Sequence, residues 1–292
     1  FKGSIAALVT PFTDQGELDV SALDGLIGFH LENGTDGLVV AGTTGESATL
    51  GRKEFAQALG RVIGQVAGRI PVIAGTGGAS TTGTVRQTLA AAELGADAAL
   101  VVTPYYNRPT QRGLEAHFRA VADASPIPVI LYNVPSRTSV DMLPETVARL
   151  SEHPGIAAIK EAVADVGRVD ELARNCAPGF TLLSGDDHSC LRSMKHGAAG
   201  VVSVAANAAP ALMHALCERA ENGEWAAADR LDERLQPLFD VLMLETNPIP
   251  VKWALFAMGL VGPGIRLPLT TLDESLHHRV RKALEELDLV RQ

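Results

Sequence analysis

Clustered positive charge is missing from this 292-residue chain. Its 25 Lys and Arg residues are scattered among 34 Asp and Glu, for a net charge of −9. Nucleic acids and anionic membrane surfaces are held by grouped cations, so neither is expected as a partner. Cysteine is scarce too. Cys176, Cys190 and Cys217 are odd in number and show no CxxC spacing, which argues against a disulfide framework or a zinc site and for a reducing, cytoplasmic compartment. No apolar run approaches the ~18 residues of a membrane-spanning helix. The opening stretch from Phe1 to Phe12 lacks a basic region followed by an apolar one, so no export signal is expected. Aromatic residues make up only 4%. A core built from Ala, Val, Leu and Gly instead suits helices packed closely on a parallel sheet better than a β-sandwich.

What is present is apolar sequence in short pieces. The chain is 46% hydrophobic and 20% charged, as globular proteins are. Runs rich in Val, Ile, Leu and Ala recur at Ile5–Val9, Gly37–Ala41, Pro71–Ala74, Ala98–Val102, Val129–Tyr132, Ile156–Lys160, Phe180–Leu183 and Gly200–Val204. Each is too short for a helix and is bounded by Gly, Pro, Asp or Asn, as strands buried on both faces are. Amphipathic stretches lie between them: Ser21–Asn33, opened by a Ser cap, then Arg52–Ala67 and Thr84–Leu94. Eight such units predict an α/β fold, a (β/α)₈ TIM barrel over residues 1–224. From 225 to 292 the strand signal stops, and Glu224–Glu245, Pro250–Met258 and Asp273–Asp288 predict a C-terminal helical appendage. Asn247-Pro248 and Gly262-Pro263-Gly264 break it into pieces.

Barrel enzymes place their chemistry at the C-terminal ends of the strands. The second strand runs into Gly42-Thr43-Thr44-Gly45-Glu46-Ser47, where free amides and two hydroxyls could cradle a carboxylate or simply form a turn and a helix cap. The fourth and fifth end in Tyr105-Tyr106-Asn107 and Tyr132-Asn133-Val134-Pro135-Ser136-Arg137-Thr138, so all three tyrosines of the chain fall at strand ends. A phenol can relay protons and a guanidinium can grip a carboxylate in two places; packing at the rim and an ordinary ion pair are the other readings. The sixth ends in Ile159-Lys160-Glu161. An amine enclosed by apolar walls loses solvation of its charged form and becomes a nucleophile toward carbonyls, whereas a lysine that snorkels outward or pairs with Glu161 does not. Amine, phenol, guanidinium and anion turn together favour Schiff-base chemistry. After the seventh strand Asp186 and Asp187 oppose a phosphate, so the substrate is expected to lack one; more often, such acids merely cap a helix. No dinucleotide fingerprint, phosphate loop, clustered metal ligands or GxSxG elbow is present.

The motifs GTTGES (42–47), TPYYNRP (103–109), YNVPSRT (132–138), IKEA (159–162), SGDD (184–187) and NPIPVKWA (247–254) resemble the dihydrodipicolinate synthase family. It is a branch of the class I, lysine-dependent pyruvate aldolases that also includes N-acetylneuraminate lyase. The resemblance runs from about residue 3 to the end. It implies that Lys160 forms an imine with pyruvate, that Thr43 and Thr44 bind the pyruvate carboxylate, and that Tyr132 shuttles protons through Thr43 to Tyr106 of a neighbouring subunit. It implies further that Arg137 grips L-aspartate 4-semialdehyde, that Gly185 and Val202 line the pocket, that no metal or cofactor is needed, and that the chain assembles as a homotetramer, a dimer of dimers.

Two departures stand out. At the positions of the family's lysine-binding allosteric pocket, Ser47, Ala48 and Tyr105 are kept. Arg52, Phe55, Ala79 and Gly83 replace its histidines, asparagine and glutamate, so feedback inhibition by lysine is expected to be weak or absent. After Lys160-Glu161-Ala162, Val163-Ala164-Asp165 stands where many members have a small hydroxyl residue and Gly. A sister lyase acting on N-acetylneuraminate or a 2-keto-3-deoxy sugar acid is the alternative. Arg137 discriminates, because a polyol needs several neutral hydrogen-bonding groups where an amino-aldehyde acid needs a carboxylate grip.

Overall fold

The structure, a computed structural model, describes residues 1–290; positions 291 and 292 of the expected helical appendage lie outside the described residues. Eight strands, β1 (Gly3–Ala7), β2 (Gly37–Val40), β3 (Val72–Gly75), β4 (Ala98–Val102), β5 (Val129–Asn133), β6 (Ile156–Glu161), β7 (Thr181–Ser184) and β8 (Gly200–Ser203), run parallel and close into a barrel. Closure comes from β8 returning to β1, with Val202 opposite Ile5. Each strand lies within two residues of a predicted run at either end.

Alternation along the strands separates two cores. Ile5, Ala7, Val39, Ile73, Leu100, Ile130 and Val202 fill the barrel interior, while Ala6, Leu38, Val40, Val72, Val101 and Leu131 face the surrounding helices. Both faces are buried, which is why the runs read as continuously apolar. Burial of each Leu, Ile or Val contributes about 1.5–3 kcal/mol.

Helix starts follow side-chain caps. The first helix is Val20–Glu32, and Asp19 caps it, accepting from Ala22 N at 2.9 Å. This corrects the expected Ser21 cap: Ser21 already lies inside the first turn, and Asp is an equally good cap. The third helix, Thr81–Glu93, starts three residues before the expected Thr84 because Ser80 accepts from Gly83 N at 3.2 Å. Beyond the barrel come helices Trp225–Val241, Ile249–Ala257 and His277–Glu286, the last preceded by a 3₁₀ turn at Glu274–Leu276. Among the described residues no helix is long and apolar enough to cross a membrane.

Candidate active site

Strand β6 changes phase part-way. It pairs with β5 through Val129–Ile156 and then Ile130–Ala158, leaving Ala157 as an extra residue. Ile156 therefore packs against the helices and Ala158 into the barrel, although they are two residues apart. A bulge of this kind re-aims every side chain that follows it. Lys160 consequently stands opposite Tyr132, with Nζ 4.4 Å from the phenol ring centroid and only 6% of the residue exposed.

Glu161, next along, points to the outer side. There it accepts from Arg168 Nε at 2.8 Å and from Asn133 Nδ2 at 3.1 Å, and Arg168 also reaches Asp141 at 2.8 Å. Burial pushes the Glu161 carboxyl upward against the opposing pull of the Arg168 guanidinium. Lys160 thus neither snorkels outward nor pairs with Glu161. Among the described residues no carboxylate comes within ion-pair distance of its Nζ.

Gly185, just past β7, makes room for the lysine. A Cβ there would meet Lys160 Cε at 3.0 Å and Ala162 Cβ at 2.9 Å. At the end of β2, Ala41 and Glu46 adopt left-handed φ values of 55° and 53°, a conformation that costs about 1–2 kcal/mol for a residue with a side chain. The turn between them closes on itself: Gly45 N and Ser47 N donate to Gly42 O at 3.1 and 3.3 Å, and Glu46 N to Thr43 O at 3.1 Å. The amides of Thr43 and Thr44 take no part in that set among the described residues.

Lys160, Tyr132, Thr43, Thr44, Arg137 and Gly185 line one cavity of about 150 Å³. Two of the expected site residues are elsewhere. Val202 belongs to the barrel interior opposite Ile5, and Val204 forms the cavity wall instead. Tyr106 is 95% exposed, with a left-handed φ of 69°. A wider cleft of about 460 Å³ adjoins the cavity and shares Thr43, Val134, Arg137 and Asn247 with it. Ser47, Ala48, Arg52, Phe55 and Tyr105 line this cleft, but Ala79 and Gly83 do not. The Ala79 carbonyl accepts from Asn107 Nδ2 at 2.8 Å, and Gly83 N is taken by the Ser80 cap.

Several lining residues were not singled out from sequence. Phe239, Leu242, Met243 and Asn247 reach the cavity from the C-terminal segment. Asn247 Nδ2 donates to Thr44 Oγ1 at 3.0 Å, and its main-chain carbonyl accepts from Arg137 Nη2 at 3.1 Å. The NPIPVKWA motif was the available signal, but Asn247-Pro248 reads locally as a breaker. His188 lines the cavity too, held to Asp240 Oδ1 at 3.0 Å. The acidic pair is occupied structurally: Asp186 accepts from Ser189 N at 2.9 Å, and Asp187 from Val204 N and Ala205 N at 3.0 and 2.8 Å. Burial pushes the Asp187 carboxyl upward.

An enclosed amine beside a phenol, two hydroxyls and a guanidinium is equipped to capture a keto acid. Comparison with known proteins shows the family. The model of the dihydrodipicolinate synthetase family matches residues 1–287. The chain belongs to this family. It is an enzyme of the lyase class, like its relatives. The 4-hydroxy-tetrahydrodipicolinate synthase of Ectopseudomonas mendocina is 55% identical over 284 residues, 97% of each chain. Among solved structures, the chloride-inhibited dihydrodipicolinate synthase of Acinetobacter baumannii, complexed with pyruvate, superposes with a TM-score of 0.98 at 45% identity over 99% of both chains. A monomeric dihydrodipicolinate synthase variant also reaches 0.98, at 39% identity over 99% of this chain and 98% of its own.

Proposed function

We propose that Lys160 condenses with the keto group of pyruvate, expelling water, and that the resulting enamine attacks the aldehyde carbon of L-aspartate 4-semialdehyde. The semialdehyde's own amino group then displaces Lys160 from the imine carbon, closing the ring and freeing the lysine amine, and the product is (2S,4S)-4-hydroxy-2,3,4,5-tetrahydrodipicolinate, at the entry to diaminopimelate and lysine. The observation that carries this reading is the inward placement of Lys160, enclosed against the Tyr132 ring and free of any acid partner among the described residues. An iminium is an electron sink, so pyruvate's methyl group can lose a proton once the imine forms. Tyr132 lies beside the reacting amine and is the candidate to move that proton. Thr43 and Thr44 take the pyruvate carboxylate, Arg137 takes that of the semialdehyde at the junction of cavity and cleft, and Gly185 gives the lysine its space.

The same reading makes 1–224 the catalytic unit and 225–292 a helical domain leaning over it, in a cytoplasmic homotetramer. Support for assembly comes from Tyr106, whose aromatic ring is almost wholly exposed on a left-handed backbone and so is free to meet a neighbouring copy. The adjoining cleft bears on regulation. Arg52 lines it, and the one acid among its lining residues, Glu46, is already bonded to Lys252 and to Arg266 N, so lysine's α-ammonium group would meet a cation and no free carboxylate. Weak or absent inhibition by lysine follows.

The test is turnover of pyruvate with L-aspartate 4-semialdehyde, coupled to an NADPH-dependent dihydrodipicolinate reductase, with and without lysine, alongside borohydride trapping of pyruvate on the protein. Turnover is expected, with adduct on Lys160 and none in Lys160→Ala. Adduct surviving on another lysine would overturn the assignment. Adduct without turnover would redirect the second substrate to sugar-acid aldehydes, and half-maximal inhibition at sub-millimolar lysine would refute the regulatory part.

A further inference from the structure

Two motifs lying some 200 residues apart meet behind the Thr43–Thr44 turn. Glu46, the last acid of GTTGES, forms an ion pair with Lys252 of NPIPVKWA, their side chains 1% and 5% exposed. The other Glu46 oxygen accepts from Arg266 N at 3.1 Å. Lys252 Nζ and Arg266 Cζ lie 4.5 and 4.0 Å from the centroid of the Phe12 ring, which is fully buried. Burial pulls the Lys252 ammonium down while Glu46 holds it up.

Stability does not account for such a pair. Desolvation of two buried charges commonly cancels their attraction, and apolar residues of similar volume do as well or better. Placement does account for it. Glu46 ends the turn that carries Thr43 and Thr44, and its left-handed backbone needs an anchor. Lys252 lies on helix Ile249–Ala257, which begins directly after Asn247 and Pro248. The same segment therefore holds the turn at two points: through Lys252 at Glu46, and through Asn247 Nδ2 at the Thr44 hydroxyl, 3.0 Å away. A hydroxyl that accepts one N–H keeps its own proton to donate elsewhere, and Thr44 lines the cavity.

We propose that Asn247 and the buried Lys252–Glu46 pair are positioning residues that lock the Thr43–Thr44 turn and leave the Thr44 hydroxyl as a donor to the substrate carboxylate. The inference rests on the reading of Thr44 as a carboxylate binder. The appendage then does more than cover the barrel: it sets affinity for the keto acid.

The experiment measures borohydride trapping of pyruvate on Lys160 by intact-protein mass, as a function of pyruvate concentration and without aldehyde. Thr44→Val is expected to raise half-saturating pyruvate about tenfold, the worth of one good hydrogen bond to a charged group. Asn247→Ala and Glu46→Gln are expected to raise it several-fold while the adduct at saturation stays complete. Lys252→Arg, which keeps the pair, should stay near the parent. A merely structural role would lower the trapped fraction at saturation without moving half-saturation. If Thr44→Val shifts the curve and neither Asn247→Ala nor Glu46→Gln does, the positioning inference is overturned and the carboxylate reading survives. If Thr44→Val leaves the curve in place, the carboxylate reading falls and this inference with it. Asn247→Ala removes no buried charge and keeps the test decisive where Glu46→Gln folds poorly.

Discussion

Acid should weaken this fold through two histidines remote from the active site. His30, on helix Val20–Glu32, is fully buried, with Nδ1 2.9 Å from Thr35 Oγ1 and Nε2 without a partner among the described residues. His117, on helix Gln111–Ala124, is similarly placed, with Nδ1 2.9 Å from Thr81 Oγ1 and Nε2 again unpartnered among the described residues. Burial pushes both imidazoles down from 6.5 to about 4. Both therefore stay neutral in the folded state at pH values where the unfolded chain binds their protons. Stability is full above about pH 6.5, falls as pH drops below it, and the loss is complete below about pH 4. At pH 5 the loss is about 2 kcal/mol per histidine, about 4 kcal/mol for the two, a large share of a typical 5–15 kcal/mol total. Glu161, Asp187 and Asp232 act in the opposite direction, because burial pushes their carboxyls upward and acid relieves that penalty. The raw pH slope therefore mixes signs, and the informative quantity is the difference between the parent and His30→Gln/His117→Gln, whose amides can still bond the threonines. Urea unfolding followed by circular dichroism at fixed chain concentration should show the parent losing about 4 kcal/mol more than the double variant between pH 7.5 and pH 5. Equal losses would refute the claim that these imidazoles are held neutral by burial.

Two further outcomes follow from the site. Gly185→Ala would place a methyl group 3.0 Å from Lys160 Cε and 2.9 Å from Ala162 Cβ; it should cost about 1–3 kcal/mol of stability and slow pyruvate trapping at least about tenfold by displacing the amine, and trapping at the parent rate would show that the lysine does not need that space. Arg137→Ala should raise the KM for L-aspartate 4-semialdehyde between about tenfold and a hundredfold, the range for a charge-assisted contact, with pyruvate trapping intact; loss of trapping as well would place Arg137 in the imine step.

The barrel was legible because its strands are buried on both faces, so continuous apolar runs between Gly, Pro and Asx punctuation had one economical interpretation. Helix caps were less so. Asp19 and Ser21 are both competent caps two residues apart, and only the path of the chain into the helix selects Asp19. At the active site, the strand-end rule brought Lys160, Tyr132, Thr43, Thr44, Arg137 and Gly185 to one cavity. Val202 lies inside the barrel on β8, and the cavity wall is supplied by Val204, just past the strand's end, where the chain has already left the extended conformation and strand alternation no longer predicts direction. Asn247 escaped because a residue whose local signal is a helix breaker gives no hint of a partner 203 positions away.

The least legible feature is the one on which the proposed chemistry depends most. Ile156, Ala157, Ala158 and Ile159 are all apolar, so β6 carries no alternation by which its phase could be read. In a regular strand Lys160 would share the outward face of Ile156, two pairs of residues earlier, and meet the helices. The extra residue at Ala157 reverses that, sending Lys160 to Tyr132 and Glu161 to Arg168. The outer pairing then works as a register lock. Glu161 on β6 and Asn133 on β5 are bonded to each other directly opposite one another, one step beyond the Lys160–Tyr132 pair, and slipping β6 back by one residue would bury Lys160 against the helices and strand the Glu161 carboxylate inside the barrel. An uncompensated buried charge is among the costliest defects a fold can carry, so the charge pattern Lys160-Glu161, ambiguous in sequence, selects the phase in the folded barrel. The pairing of an inward amine with an outward, fully bonded acid is what keeps the amine free of a counter-ion within ion-pair reach among the described residues.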